Sequence, residues 1–217
     1  MKKTIYFVIF LFAAIPLFFS CSRSEPKINY GFIGLNYYQS RERPEERFSF
    51  FIIPEDDDGL ENIAELYLYH DKEQLRWIIL PEDWVSLEQD GKTWIGSRAL
   101  AAGEAESLPR GLFRAVLVNK GGEKSERTFT FDAPEESRFP FPTVSVENGE
   151  YRVASNYPRN HFICYDQHGN IVKTLALSSL SGLIAELDIP MDVRTVALWA
   201  EDPDYFTSAL TDVVQFR

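Results

Sequence analysis

Histidine is scarce in this chain, with three among 217 residues. His161, Cys164 and His168 come closest to a ligand set. On a strand, however, residues 161 and 164 point to opposite faces. His168 sits in Asp166-Gln167-His168-Gly169-Asn170, which reads as a turn. His70, in Tyr69-His70-Asp71, ends a strand and is expected in solvent. The Gly-x-Ser-x-Gly nucleophile elbow is absent, and Ser178-Ser179-Leu180-Ser181-Gly182 matches it only in composition. Phosphate-loop and Gly-x-Gly-x-x-Gly fingerprints are missing too. Acid–base chemistry would fall to Asp and Glu alone, so the chain is not expected to be an enzyme. No cofactor and no metal is expected either. Counting an EF-hand back from Gly59 puts Pro54 in the first ligand position, where its side chain cannot ligate. Glu55-Asp56-Asp57-Asp58 therefore reads as a solvated loop, as does Glu201-Asp202-Pro203-Asp204.

Positive charge is also short, with 22 Lys and Arg against 33 Asp and Glu. That balance argues against nucleic acid, whose affinity rests on neutralised phosphates. It argues equally against a polybasic grip on anionic lipid.

The first twenty residues have a different character. Lys2 and Lys3 precede a run from Ile5 to Phe19 that is apolar apart from the hydroxyl of Tyr6. Fifteen residues make roughly 22 Å of helix, short of the ~20 residues that span a bilayer comfortably. This is the pattern of a cleaved signal peptide.

The run ends in Phe18-Phe19-Ser20-Cys21. Here the chain resembles the lipobox of bacterial lipoproteins, where a small residue precedes an invariant cysteine. Phe18 stands where the usual pattern has Leu, a looser box similar to those of spirochaetes. The resemblance implies cleavage before Cys21, diacylglycerol on its sulfur and acylation of the new amino terminus. Without Lys2 and Lys3 the mature chain carries 20 basic and 33 acidic side chains, a net of −13. Its membrane partner would then be held through the lipid on Cys21, which double or triple acylation achieves. Ser22 replaces the aspartate that retains enterobacterial lipoproteins on the inner membrane. By analogy the outer membrane is favoured, with the chain facing the periplasm or the exterior. A lipidated Cys21 leaves Cys164 without a disulfide partner. In Phe162-Ile163-Cys164-Tyr165 it reads as a small buried hydrophobe.

The remainder reads as an all-β chain. Strands are expected at Ile28–Tyr38, Phe48–Ile53, Leu66–Tyr69, Trp77–Leu80, Leu112–Val118 and Thr128–Phe131. A second set falls at Thr143–Val146, Tyr151–Ala154, His161–Tyr165, Ile171–Leu177, Leu183–Leu187, Thr195–Trp199 and Val213–Phe216. Asp58-Gly59, Asp90-Gly91, Gly121-Gly122, Asn148-Gly149 and Gly169-Asn170 supply turns. Only Gly59–Glu65 and Leu100–Ser107 suggest short helical turns.

Three prolines between Ala133 and Thr143 stop both helix and central strand. The expected organisation is a signal peptide (1–20), a lipidated tether (21–26), a first sandwich (27–133), a semi-rigid Pro-rich linker (134–142) and a smaller sandwich (143–217). Leu112–Val118, the Asn119–Gly122 turn and Arg127–Phe131 resemble the last hairpin of a fibronectin type III or immunoglobulin-like domain. Phe113, Ala115 and Leu117 would face its core. Val196, Leu198 and Ala200 repeat the pattern, with a turn at Glu201–Tyr205. The fold class this implies is two tandem immunoglobulin-like β-sandwiches.

Trp77, Trp84 and Trp94 fall within eighteen residues, and Tyr37-Tyr38, Tyr67 and Tyr69 add to them. Flat rings beside carboxylates suit a sugar- or peptide-binding face. The competing reading places the tryptophans in the cores, with Trp84 the one expected outside. Function then reads as a binding or structural module of the cell envelope, with a protein, peptide or glycan partner. The alternatives are a carboxylate-based glycan-active enzyme, marked by two acidic residues lining one groove, and an accessory subunit of an envelope assembly.

Overall fold

A computed structural model describes residues 24–41, 43–103, 107–134 and 137–216. The first half contributes eight strands: β1 (Lys27–Tyr38), β2 (Glu45–Glu55), β3 (Ile63–His70), β4 (Leu75–Ile79), β5 (Val85–Gln89), β6 (Lys92–Leu100), β7 (Gly111–Asn119) and β8 (Lys124–Phe131). They form one sheet ordered β1-β2-β6-β5 and a second ordered β4-β3-β7-β8. This is the A-B-E-D sheet of an immunoglobulin sandwich against its C-F-G sheet, with β4 added at the C edge.

Period-two alternation explains the packing. Phe48, Phe50 and Ile52 of β2 meet Phe113, Ala115 and Leu117 of β7, and all six are fully buried. The Phe48 ring sits edge-on to Phe113 at 5.2 Å and to Phe131 at 5.1 Å, the arrangement ring quadrupoles favour. β6 carries an extra residue opposite Phe48–Phe50 of β2, and beyond it the two strands lie so close that a Cβ at Gly96 would overlap the carbonyl oxygen of Phe50.

The second half adds β9 (Thr143–Glu147), β10 (Glu150–Ala154), β11 (Arg159–Tyr165), β12 (Ile171–Ala176), β13 (Ser181–Leu183), β14 (Thr195–Asp202), β15 (Thr207–Leu210) and β16 (Val214–Gln215). A sheet β9-β10-β13 faces β12-β11-β14, whose last strand pairs with both β15 and β16. In the same lettering this is A-B-E against C′-C-F-G, with the G strand broken in two. Its core holds Tyr151, Phe162, Cys164, Val196, Leu198 and Phe216. The chain is therefore all-β, with immunoglobulin-like strand order in both halves.

The sandwiches are fused rather than merely strung together. β15 pairs in parallel with β1, from Leu35 opposite Thr207 to Tyr38 opposite Leu210. Leu35 N donates to Phe206 O (2.8 Å) and Gln39 N to Leu210 O (3.1 Å). A sheet of nine strands thus runs through both halves. Its outer side carries a polar ladder. Ser208 Oγ donates to Asn36 Oδ1 (2.8 Å), and Asn36 Nδ2 donates to Ser49 Oγ (2.6 Å) and Arg98 O (3.0 Å).

Residues 137–142 are tied into this junction. Phe139 and Phe141 pack on the first core, which also takes in Tyr157, Ala200 and Ala209 of the second half. Arg138 pairs with the buried Asp202 at 3.1 Å and lies 3.9 Å over the Tyr205 ring. Tyr37 is buried at the same junction, and that burial, reinforced by the Glu46 carboxylate, pushes its phenol up to about 12.

Several local expectations change. β5 and β6 occupy a stretch from which only the Asp90-Gly91 turn is read in sequence. Leu100 ends β6 rather than opening a helical turn. The 59–65 turn is a 3-10 helix over Leu60–Asn62. In place of a strand at Leu183–Leu187, β13 ends at Leu183 and a 3-10 helix follows over Ile184–Glu186. β14 extends to Asp202, and β15 follows it where no strand is expected.

Candidate functional site

The three tryptophans separate. Trp77 lies in the first core, its indole Nε1 donating to Ala101 O at 2.7 Å. Trp84 is not the exposed member. A turn in which Asp83 N and Trp84 N both donate to Leu80 O folds its ring back against the first core. Trp94 alone faces outwards, on the far side of β6 from the core residue Ile95. It meets Tyr30 edge-on at 5.6 Å and Phe32 at 5.7 Å.

Around Trp94 an aromatic face covers the outside of the β1-β2-β6-β5 sheet. β1 turns Ile33, Leu35 and Tyr37 inwards, so Tyr30 and Phe32 point away. A bulge between Ile28 and Tyr30 sets that phase. Arg127 braces the bulge by donating to the carbonyls of Ile28 and Asn29. Phe51 belongs to neither core; it is buried beneath Phe32, at a stacking distance of 5.8 Å. Phe206, 61% exposed, completes the face 6.4 Å from Phe32. Its backbone has φ 51, a left-handed conformation that costs a bulky residue on the order of 1–3 kcal/mol. The surroundings enforce it: Phe206 O accepts from Leu35 N, and Gly34 leaves the space that oxygen needs.

A second face lies on the opposite side of the same sandwich, on β4-β3-β7-β8. Tyr67 and Tyr69 stack at 5.8 Å, and the Arg114 guanidinium lies 4.5 Å over Tyr69. Arg114 donates twice to Asp71, at 2.9 and 3.0 Å, and once to Glu126 at 3.2 Å. Hydrogen bonding from Arg114 holds the Asp71 carboxyl below its ordinary range. Tyr67 donates to Glu65 at 2.7 Å, which pushes its phenol up. Beside this network an open hollow of about 560 Å³ is lined by Tyr69, Asp71, Gln74, Leu75 and Arg76. Tyrosines and an arginine preorganised next to carboxylates match the composition of protein-recognition hot spots.

The remaining candidates do not assemble into a site. Cys164 is fully buried, and burial pushes its thiol up. His161 is on the other face of β11, its Nε2 3.4 Å from Glu201 and its ring 5.0 Å from Trp199. His168 lies in an exposed turn, bonded to Gln167. His70 is buried, contrary to expectation, because the chain before β7 covers it. Its Nδ1 accepts from Glu73 N (3.3 Å), leaving Nε2 to donate to Arg110 O (3.1 Å). Asp56 departs from a solvated acidic run. Desolvation disfavours its charge, but bonds from Asn62, Asp58 N and Asn119 together outweigh that and hold it ionised to lower pH. Asp202 likewise is buried in its pair with Arg138.

One hollow does gather two carboxylates. Glu150 and Glu186 line a space of about 590 Å³ at β13, together with Arg152. Both glutamates are exposed, and Glu150 is paired with Arg152 at 3.3 Å. Val153, Leu180 and Leu183 supply the apolar part of the hollow's lining.

Cys21 lies outside the described residues, but the body begins close behind it. Ser24 O already accepts from Asn119 Nδ2 at 3.0 Å, and Pro26 is buried.

Neither a known protein family nor a curated protein matches this chain. A solved structure titled "Crystal structure of Dpr11 IG1 bound to DIP-gamma IG+IG2" aligns at 11% identity over 89% of this chain and 98% of that one. Its TM-score is 0.26. The fold assignment therefore rests on strand order.

Proposed function

We propose that this chain is a bacterial envelope lipoprotein, lipidated on Cys21, whose paired immunoglobulin-like sandwiches act as a binding module. The tyrosine face of the first sandwich is what it presents to a protein partner. The observation that carries the reading is the short distance between Ser20-Cys21 and a folded backbone. Only residues 22 and 23 separate Cys21 from Ser24, which is already tied to β7 through Asn119. Three residues reach at most about 11 Å, so a lipid on that sulfur would seat the first sandwich against the bilayer. We assign binding rather than catalysis because its best-developed surface is a network of Tyr, Arg and carboxylates.

Two measurements test this. Cells labelled with radioactive palmitate should mark the natural chain and leave Cys21→Ser unlabelled and released from membranes. Equal labelling of both ends the lipoprotein reading. Tyr69→Ala should weaken capture of the envelope protein retained by the natural chain by about tenfold or more, as for a hot-spot residue. Undiminished capture would move the partner surface elsewhere.

A further inference from the structure

We infer that the aromatic face of Tyr30, Phe32, Trp94 and Phe206 rests on the lipid bilayer itself and fixes the posture of the molecule. The inference builds on the lipid anchor proposed above. Its first ground is position. From Lys27, where β1 begins beside the tether, Tyr30 lies three residues along the strand, about 10 Å away. Trp94 contacts Tyr30, and Phe206 reaches the strand at Leu35. The face thus climbs the flank of the sandwich from the tethered end, within reach of a bilayer that holds Cys21.

The second ground is charge. The mature chain has a net charge of −13, and the end of β2 and the loop after it bring Glu55, paired with Lys27, and Asp56, Asp57 and Asp58 to the tethered end. An upright posture would press those carboxylates towards phosphate headgroups. Tilting onto the neighbouring flank replaces them with four uncharged rings. Tyrosine and tryptophan are the side chains that settle at a membrane–water interface, their bodies apolar and their tips polar.

The third ground is the construction of the face. Phe206 is held in a left-handed conformation with most of its ring in solvent, although β14 and β15 could turn around a smaller residue. Strain kept for an exposed ring needs a function for that ring. This posture also turns the Tyr67–Tyr69–Arg114 face, on the opposite side of the sandwich, away from the membrane and towards a partner.

The test supplies the anchor chemically. The chain beginning at Cys21 is joined through that thiol to a maleimide-headgroup lipid in phosphatidylcholine vesicles, and the fully buried Cys164 stays unreacted. Phosphatidylcholine with brominated acyl chains should quench part of the tryptophan emission. Trp94→Phe, which keeps a ring in place, should abolish that loss, and Tyr30→Ser with Phe206→Ser should reduce it. Quenching that is absent, or identical in Trp94→Phe, overturns the inference. So does a Trp94 response to cell-wall glycan fragments without one to bromolipid, which would make the face a sugar site. A response that needs no vesicles and grows with protein concentration would assign it to a second copy instead. Absence of palmitate on Cys21 in cells defeats the anchor and not this measurement, so the two failures are distinct.

Discussion

A chain carrying Ser208→Pro should unfold in two steps, where the natural chain, with one sheet through both halves, should unfold in one. β15 lies between β14 and β1, and in a ladder alternate residues of a strand bond to alternate neighbours. Phe206 O and Leu210 O both accept from β1, so Ser208, midway between them, is turned the same way. Proline there removes its N–H, its ring intrudes on β1, and the Ser208 hydroxyl that donates to Asn36 is lost as well. Thr207 and Ala209 keep their register with Asp202 and Ala200 of β14. The change therefore falls on the junction and leaves the second sandwich its own strands. Proline inside a sheet removes a ladder hydrogen bond, and here that loss falls on the four residue pairs that join the halves. Calorimetry should resolve two transitions, and a protease should cut in the 134–142 segment. A single transition at the natural midpoint would show that Tyr157, Phe139 and Phe141 hold the halves together without the shared sheet. Ser208→Ala, which deletes only the hydroxyl, should cost about 1 kcal/mol and keep one transition.

That junction was the part of the fold least visible in the sequence. The strand at 112–118 is legible because Phe113, Ala115 and Leu117 alternate with outward residues, and Val196, Leu198 and Ala200 announce β14 in the same way. β15 has no such signal. Thr207–Leu210 is four residues long with one buried alanine, and it is a strand because β1, about 170 positions away, pairs with it. β5 and β6 are obscured for another reason. β5 is an edge strand with few apolar positions, and Gly96 interrupts β6, which ordinarily weakens a strand reading. Here the glycine is what permits close approach to Phe50.

The candidate surfaces show the same limit. Sequence spacing gathered Trp77, Trp84 and Trp94, but register decides which face each ring occupies. The alternation of Trp94 with the core residue Ile95 on β6 and the turn at Leu80 sort them, and neither is marked by composition. Tyr67 and Tyr69 were legible as rings beside carboxylates, since Glu65 on β3 and Asp71 just past its end share their phase. Arg114, which binds them into a network, arrives from a strand more than forty residues later.

Glu46→Ala should cost about 3 kcal/mol, because it leaves a largely buried arginine without its counter-charge. Glu46 and Arg110 pair at 2.9 and 3.1 Å, with side chains 8% and 15% exposed. The carboxylate also accepts from Leu108 N at 2.8 Å. Arg110 spends its other donors on Leu108 O, Ala133 O and Pro134 O. One guanidinium thus pins the start of β2, the approach to β7 and the chain leaving β8 for the second sandwich. Attraction within the pair offsets the cost of burying each charge, and removing one partner exposes that cost in full. For a chain of this size the loss should lower the melting temperature by roughly 10 °C. Arg110→Met paired with Glu46→Leu should recover part of it, since no buried charge is left over. The recovery is incomplete, because three carbonyls lose their donor. A double variant no more stable than Glu46→Ala alone would mean that those carbonyl bonds, and not the ion pair, hold the junction.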